Sequence, residues 1–293
     1  MLEDKHWDIL LKRIAQGKCT PFLGAGACAG TLPLGSEVAH GWSIKYSYPL
    51  CDSYDLARVA QFLAVDRGDP MFPKDEIADL IKSYKPPEFK SNDELHGNLA
   101  DLPLPVYLTT NYDNFMAEAL RSRQRNPVQE MCRWNKYIRE IPSAFDGTPF
   151  YDPSPANPVV FHLHGKADVP ESMVLTEDDY LDFLVNISRS QELLPPRIQQ
   201  ALTGASLLFI GYRLSDWTFR VLFRGLVGSL EKSLRRISVA VQLPPEESDK
   251  EQKKSQFFLE KYFQNTDVRI HWATARDFIK ELMERWRQNR DGT

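Results

Sequence analysis

Hydrophobic residues near the amino terminus follow a helical period. The apolar positions there are spaced i, i+3, i+4 and i+7, and they are Trp7, Leu10, Leu11 and Ile14. Gly17 comes shortly after the last of them. This spacing predicts an amphipathic helix that ends before the glycine.

Further along the chain, short apolar runs replace the helical period. Six such runs, each bounded by Pro, Gly or Asn, lie at residues 20–23, 106–109, 159–163, 207–210, 237–241 and 268–272. Helical patterns separate most of them, and near-continuous apolar strands that alternate with helices are typical of a parallel sheet covered on both faces. The pattern predicts an α/β fold, with a doubly wound, Rossmann-like, mostly parallel sheet of about six strands.

We expect one domain over residues 1–293 that carries a helical insertion. Residues 41–103 hold helical pieces and no clear strand, which places the insertion between the first two strands. Residues 142–158 contain five prolines and are expected to form an irregular loop. Near the carboxyl terminus, Thr274 and Asp277 predict a capping box at the start of a helix.

Composition and charge narrow the class of protein. The 36 Lys and Arg residues against 40 Asp and Glu residues give a net charge of −4, which argues against a strongly basic nucleic-acid coat. No apolar run approaches the ~18–20 residues that cross a bilayer. The start of the chain lacks the basic and then apolar order of a secretory signal. We therefore expect a cytoplasmic protein that neither enters a membrane nor binds nucleic acid directly.

The four cysteines are dispersed along the chain and contain no C-x-x-C pair. They are Cys19, Cys28, Cys51 and Cys132. This spacing argues against a zinc ribbon and against a disulfide framework. We expect four buried thiols and no bound zinc.

The first of four motifs that follow predicted strands is rich in glycine. Gly24-Ala25-Gly26-Ala27, together with Ala29, fits the pattern G-x-G-x-x-A. Glycines there permit a tight turn and let backbone N–H groups approach a pyrophosphate at a helix N-terminus. The acidic residue expected ~20 positions later in a dinucleotide fingerprint is missing, so a purely structural turn stays open as an alternative.

The other three motifs are polar. They are Thr109-Thr110-Asn111-Tyr112-Asp113-Asn114, His162-Leu163-His164-Gly165 and Gly211-Tyr212-Arg213-Leu214-Ser215-Asp216. Open α/β sheets bind ligands at the carboxyl ends of their strands, where all three motifs are expected. Helix capping is the structural alternative for the second and fourth motifs. For the third, a metal site of His162, His164 and Asp168 is an alternative.

In this order, the four motifs resemble the sirtuin-like family of NAD-consuming enzymes. Residues 55–62 also resemble a helix that follows the glycine loop in the bacterial branch of antiphage defence, whose members hydrolyse NAD. The resemblance spans residues 20–241. Deacylating sirtuins carry a four-cysteine zinc module after the histidine motif, and no cysteine follows Cys132 here. The resemblance therefore implies NAD hydrolysis without zinc and argues against protein deacylation.

The resemblance also implies a role for each matched residue. The residues implied to contact NAD are Gly24, Ala25, Gly26, Ala27, Thr110, Asp113, Gly211, Tyr212 and Asp216. Asn111 and His164 are implied to be catalytic. Nicotinamide is a cationic leaving group, so cleavage of its bond to ribose needs no acid and requires mainly a positioned water. Asn111 would orient that water, and His164, with an ordinary pKa of ~6.5, would accept a proton.

Two other classes of function remain open at this point. The same pocket could hold NAD or ADP-ribose as a signal without turnover. A metal-dependent nuclease or phosphohydrolase could use His162, His164 and Asp168 instead. The basic residues that could face nucleic acid are Arg213, Arg220, Arg224, Arg235 and Arg236, but a net charge of −4 favours a solvated face or a subunit interface.

Partners are implied by the resemblance alone. An ungated NAD hydrolase would harm its own cell, so we expect control by assembly. Short sirtuin-like defence proteins of this type resemble those that pair with a HerA-like hexameric ATPase, and some form homo-oligomers. Four aromatic residues could serve such contacts if they are exposed: Tyr46, Tyr48, Trp134 and Tyr137.

Overall fold

A computed structural model of the chain describes residues 2–147, 150–190, 193–214, 237–243, 249–264 and 268–291. Its strands are β1 (Cys19–Leu23), β2 (Val106–Thr109), β3 (Val128–Met131), β4 (Val159–His162), β5 (Ser206–Ile210), β6 (Ser238–Gln242) and β7 (Val268–Trp272). Its helices are α1 (Asp4–Ala15), α2 (Gly35–Lys45), α3 (Leu56–Arg67), α4 (Phe72–Ser83), α5 (Leu95–Ala100), α6 (Phe115–Ser122), α7 (Glu177–Arg189), α8 (Pro196–Gly204), α9 (Asp249–Gln264) and α10 (Ala275–Asp291). Among these residues, no helix combines the length and apolarity needed to cross a membrane.

The strands form one sheet in the order β3-β4-β2-β1-β5-β6-β7, and every pair is parallel. Strands β2 to β4 lie on one side of β1 in the sheet, and strands β5 to β7 lie on the other side. This reversal makes the gap between the carboxyl ends of β1 and β5 the topological switch point. The doubly wound parallel sheet predicted from the apolar runs is confirmed.

Helices cover both faces of the sheet, as the fold class requires. One buried cluster packs α1, α5, α6 and α10 against one face, and a second packs α7, α8 and α9 against the other. The predicted stripe of α1 is buried in the first cluster. Gly17 takes a φ of +65° just after α1, which confirms the predicted helix end. Thr274 and Asp277 form the predicted capping contact, with the Asp277 N–H donating to Thr274 Oγ1 over 3.0 Å.

A seventh strand, β3, is missing from the prediction of about six. Val128–Met131 pairs with β4 only and lies at the sheet edge. The strand contains two polar residues, Gln129 and Glu130, so no continuous apolar run marks it. Glu130 is buried because its carboxylate accepts hydrogen bonds from the Arg133 guanidinium and the Ala144 N–H.

Four helices, α2 to α5, lie between β1 and β2, beginning at Gly35. The first three share a small apolar core with Met173 and Leu175 from the segment before α7. Lys74 on α4 is buried and links these helices to α7 and to the segment before it. Its Nζ donates to Asp179 Oδ1 over 2.8 Å and to the Met173 carbonyl over 3.0 Å. These helices therefore form a wall fixed beside the carboxyl edge of the sheet.

Candidate active site

The sheet register brings the ends of four strands to one level. Leu23 pairs with Thr109 on one side and with Ile210 on the other, and Thr109 pairs with His162. A cleft of about 2040 Å³ opens at this level between the sheet edge and helices α3 to α5. It is larger than the roughly 300–1,000 Å³ of most small-molecule pockets, as an extended ligand would need.

Nine of the eleven site residues predicted from the sequence line this cleft. They are Ala25, Gly26, Ala27, Thr110, Asn111, Asp113, His164, Gly211 and Tyr212. Gly24 is missing from the cleft wall. Asp216 lies outside the described residues, as do Ser215, Arg220, Arg224, Arg235 and Arg236.

The glycines allow the loops after β1 and β5 to touch. A Cβ on Gly24 would lie 2.8 Å from the Gly211 carbonyl oxygen, and one on Gly26 would lie 2.9 Å from the Gly211 Cα. Gly211 itself has a φ of +83°, and a Cβ there would lie 2.3 Å from the Ala27 nitrogen. Close backbone approach across the switch point therefore requires glycine at all three positions.

The N–H groups of the glycine loop are mostly engaged within the protein. Those of Gly24, Gly26 and Ala27 donate to the carbonyls of Ile210, Gly211 and Gly24 over 2.9, 3.0 and 2.8 Å. Within the described part of the chain, the Ala25 N–H has no such acceptor. Ala25 also begins a 3₁₀ turn over Ala25–Cys28 that lines the cleft. Of the amides of Gly24 to Ala27, that of Ala25 is therefore the one without an acceptor among the described residues.

Thr110 and Tyr212 tie the strand ends together below the cleft. The Tyr212 hydroxyl donates to the Leu23 carbonyl over 2.8 Å, and its oxygen lies 2.8 Å from Thr110 Oγ1. The Thr110 N–H donates to the same carbonyl over 3.0 Å. Burial raises the pKa of Tyr212 far above its ordinary value, so the hydroxyl stays protonated.

Asn111 is held in one orientation by its amide group. Its Nδ2 donates to the Gly24 carbonyl over 3.1 Å and to Cys28 Sγ over 3.3 Å. Its backbone N–H donates to Thr109 Oγ1 over 2.9 Å. With both Nδ2 hydrogens engaged, the Oδ1 atom is the free end of the amide, and no described residue donates to it.

Asp113 is buried and performs two structural tasks. One carboxylate oxygen accepts the Phe115 N–H over 2.9 Å at the start of α6, so the capping interpretation applies to this residue. The other accepts the Cys28 thiol over 3.2 Å. Burial, and then the Asp113 charge, raise the pKa of Cys28 well above its ordinary value.

His164 lies between the sheet edge and α7. Its ring contacts Tyr180 and Phe183 edge-on, with centroid distances of 5.4 and 5.1 Å. Its Nε2 is buried and has no hydrogen-bond partner in the described structure. Burial lowers the pKa of His164 to about 3. The expectation of an ordinary pKa is therefore wrong: the imidazole is neutral at pH 7 and is a weak base.

His162 is fully buried and differs from His164 in its surroundings. Its Nδ1 lies 3.2 Å from the Asn111 carbonyl oxygen, and burial lowers its pKa to about 4. Asp168 instead accepts a hydrogen bond from Asn114. The ligand atoms of His162, His164 and Asp168, all within the described ranges, do not all lie within 4.8 Å of one another. The structure therefore contradicts the metal site considered for the third motif.

A different group of potential ligands was missed by the sequence reasoning. Cys28, His96 and Asp113 are buried beside Asn111, and their ligand atoms lie within 4.8 Å of one another. His96 belongs to α5, where no motif marks it.

The prediction of four buried thiols is wrong at Cys51, which is exposed.

An ion pair and a hydrogen bond join α3, in the wall of the cleft, to α7. Arg58 Nε on α3 lies 3.3 Å from a Glu177 carboxylate oxygen, and Gln61 donates to Asp178 over 2.9 Å. Asp55 caps α3 by accepting from the Ala57 and Arg58 N–H groups. A helix is thus present at residues 55–62, where the resemblance implies one.

Comparisons with known proteins identify the family of this chain. The model of the SIR2-like domain family matches residues 105–267. The NAD(+) hydrolase ThsA of Enterococcus faecium is 27% identical in an alignment of length 219 that covers 71% of this chain and 40% of that protein. The NAD(+) hydrolase ThsA of Acinetobacter baumannii is 22% identical in an alignment of length 213 that covers 71% of this chain and 39% of that protein. The chain thus spans about two-fifths of the length of these relatives.

One solved structure, described as "Structural Basis for the Mechanism and Regulation of Sir2 Enzymes", aligns over 99% of this chain and 100% of its own. The identity is 12% and the TM-score is 0.41. That score is too low to assign a fold, so the fold rests on the strand order and register described above.

Proposed function

The chain belongs to the SIR2-like domain family, and on that premise we propose that it is an NAD+ glycohydrolase with its active site in the cleft. The reaction cleaves the bond between nicotinamide and ribose and releases nicotinamide and ADP-ribose. The relatives named NAD(+) hydrolase ThsA support this reaction class. The size of the cleft and its place at the switch point of the sheet support an extended nucleotide as the ligand.

The observation that carries the proposal is the fixed amide of Asn111. Gly24 and Cys28 accept its two Nδ2 hydrogens, so Oδ1 keeps one direction without support from the substrate. A fixed acceptor in a cleft can hold a water in line with the anomeric carbon of a bound ribose. Such positioning is the main requirement once the leaving group is cationic.

His164 has a narrower role than the sequence suggested. With a pKa of about 3 it is neutral across the physiological range, and it accepts a hydrogen bond from a ribose hydroxyl or from the attacking water. The Tyr180 and Phe183 rings restrict its orientation. We assign Asn111 and His164 as the catalytic residues.

The remaining residues predicted from the sequence have two kinds of role: some contact the substrate, and others hold the cleft in shape. We infer that the Ala25 amide contacts a phosphate of NAD, which its missing acceptor supports, whereas Gly24, Gly26 and Gly211 hold two loops together. Thr110 and Tyr212 support the floor of the cleft.

The test is incubation of the purified protein with NAD, with nicotinamide and ADP-ribose followed by chromatography. We expect Asn111→Ala and His164→Ala each to reduce product formation by at least about a hundredfold, since each removes a positioned group. Asn114→Ala, three residues beyond Asn111 and bonded to Asp168, is the matched control and should retain activity. Unchanged melting temperatures would separate lost chemistry from lost folding.

Either of two results would contradict the assignment. Full activity in both cleft variants would remove Asn111 and His164 from the mechanism. NAD that binds the wild type without ever being cleaved, with or without a partner, would favour the alternative of an NAD or ADP-ribose sensor.

We further propose that the protein depletes NAD in antiphage defence and that assembly gates its activity, as a homo-oligomer or with a HerA-like hexameric ATPase. Exposed apolar side chains on the inserted segment support a contact surface. Ile44, Leu50 and Val65 are 69%, 63% and 71% exposed. Of the aromatic residues considered for contacts, Tyr137 is exposed. Trp134 is buried in the core and is therefore not part of a contact surface.

A further inference from the structure

A group of three metal-ligand side chains lies at the inner end of the cleft. Cys28 comes from the turn after β1, His96 from α5 and Asp113 from the loop after β2. The sulfur of Cys28 lies 3.2 Å from Asp113 Oδ2 and 3.9 Å from His96 Nε2. All three side chains are at least nine-tenths buried and all line the cleft.

These distances match what one metal ion requires. Two ligand atoms about 2.0–2.3 Å from a tetrahedral ion lie roughly 3.3–3.8 Å apart. The observed separations of 3.2 and 3.9 Å differ from that range by only a tenth of an ångström. The third separation, between His96 and Asp113, is within 4.8 Å, so the ligand atoms would need to approach each other by about 1 Å or less to enclose an ion.

The surroundings of His96 resemble those of a metal-ligating histidine. Its Nδ1 lies 2.8 Å from Glu94 Oε1, which directs Nε2 toward the Cys28 sulfur. A carboxylate behind a histidine commonly fixes the ring orientation and raises the basicity of the ligating nitrogen. Glu94 is itself held in place by the N–H groups of His96 and Gly97.

The donor set selects the type of cation. A thiolate, an imidazole and a carboxylate suit Zn²⁺, whereas Mg²⁺ and Ca²⁺ prefer oxygen ligands alone. Three protein ligands leave a fourth position open for water from the cleft, as in zinc sites that are not fully closed.

We propose that Cys28, His96 and Asp113 form a Zn²⁺ site at the inner end of the cleft. Binding forms a bond between zinc and the Cys28 sulfur and breaks the S–H bond, and the proton is released to solvent. The proposed hydrolysis does not require this ion.

Zinc at this site has a consequence for Asn111, and this step rests on the proposed function. Cys28 Sγ accepts one of the two hydrogen bonds that fix the Asn111 amide. Zn²⁺ at the Cys28 sulfur adds positive charge next to this amide, where it repels the cationic nicotinamide ring of a bound NAD. Zn²⁺ therefore inhibits NAD hydrolysis reversibly.

The binding experiment is independent of catalysis. Zn²⁺ is titrated against a chromophoric chelator, and Co²⁺ is added to the same protein to detect a thiolate-to-metal charge-transfer band. We expect one equivalent of tight binding and that band in the wild type. Cys28→Ser should weaken binding at least tenfold and abolish the band, and Glu94→Gln should weaken binding about tenfold. Cys51→Ser, at the exposed cysteine, is the matched control and should bind as the wild type does.

Retention of the band and of wild-type affinity in Cys28→Ser would overturn the site, as would wild-type protein that binds no zinc. His96→Gln provides a second variant if Cys28→Ser melts at a lower temperature. Inhibition is measured separately, as an expected drop of at least tenfold in NAD hydrolysis that a chelator reverses. Zinc binding without any NADase activity would support the zinc site and refute the proposed function. NADase activity in a protein that binds no zinc would support the function and refute the zinc site.

Discussion

Gly211 determines how closely the loops after β1 and β5 approach each other. We expect Gly211→Ala to lower the free energy of unfolding by about 3 kcal/mol or more, because it adds a strained positive φ to a steric clash. Gly30→Ala is the matched control, since Gly30 has a φ of +88° and open space around it. Chemical denaturation of both variants measures the difference. Equal losses would show that backbone strain alone matters and that the close approach does not.

Two buried histidines make stability depend on pH. Burial lowers the pKa of His162 to about 4 and that of His164 to about 3, against ~6.5 in an unfolded chain. Between these values the unfolded state binds more protons, so stability rises with pH up to ~6.5 and is then constant for these groups. Each histidine contributes at most about 1.4 kcal/mol per pH unit.

Urea unfolding at a series of pH values from about 4.5 to 7.5 measures this slope. His164→Gln should reduce the slope between about pH 4.5 and 6.5, because it removes one of the two titrating groups. A slope unchanged by the substitution would show that His164 is not buried as a neutral imidazole.

At the scale of elements, the pair of Lys74 with Asp179 fixes the inserted helices to α7. The two side chains are 7% and 14% exposed, so Lys74→Met leaves a largely buried carboxylate without its cationic partner. We expect a loss of about 3–5 kcal/mol in unfolding free energy. Lys45→Met is the matched control, because Lys45 pairs with Glu76 at 3.0 Å but is 58% exposed. It should lose less than about 1 kcal/mol. Similar losses in the two variants would contradict a structural role for the buried pair.

Elements with strong local periodicity were predictable, and the edge strand was not. The stripes of α1 and α10 and the apolar runs of the central strands carry their own signal, since each buries a continuous face. β3 is held by its register with β4 and by the contact of Glu130 with Arg133. The pairing with β4 joins segments about 30 residues apart, so it is not visible in a window of neighbouring residues.

At the scale of the whole molecule, self-association or partner binding is the prediction to test. We expect Val65→Lys, on the exposed face of α3, to shift the protein toward a smaller species in gel filtration with light scattering. A charge on an exposed apolar contact opposes its burial. Phe257→Lys is the matched control, because Phe257 is also exposed, at 65%, but belongs to α9, which packs against β7 and is not part of the inserted segment. It should leave the assembly unchanged. A monomer under all conditions, with and without a ring ATPase, would contradict gating by assembly.

The sequence by itself determined the fold class, the central strands and the order of the four motifs, because hydrophobic period and turn residues act over a few neighbouring positions. It also placed Asn111, Asp113 and His164 at strand ends. Only the tertiary structure decided that Gly24, Gly26 and Gly211 pack on one another, that burial makes His164 a weak base, and that Cys28 meets His96. Contacts of this kind depend on strand order and on how far each side chain is removed from water, and both properties arise only when distant segments pack together.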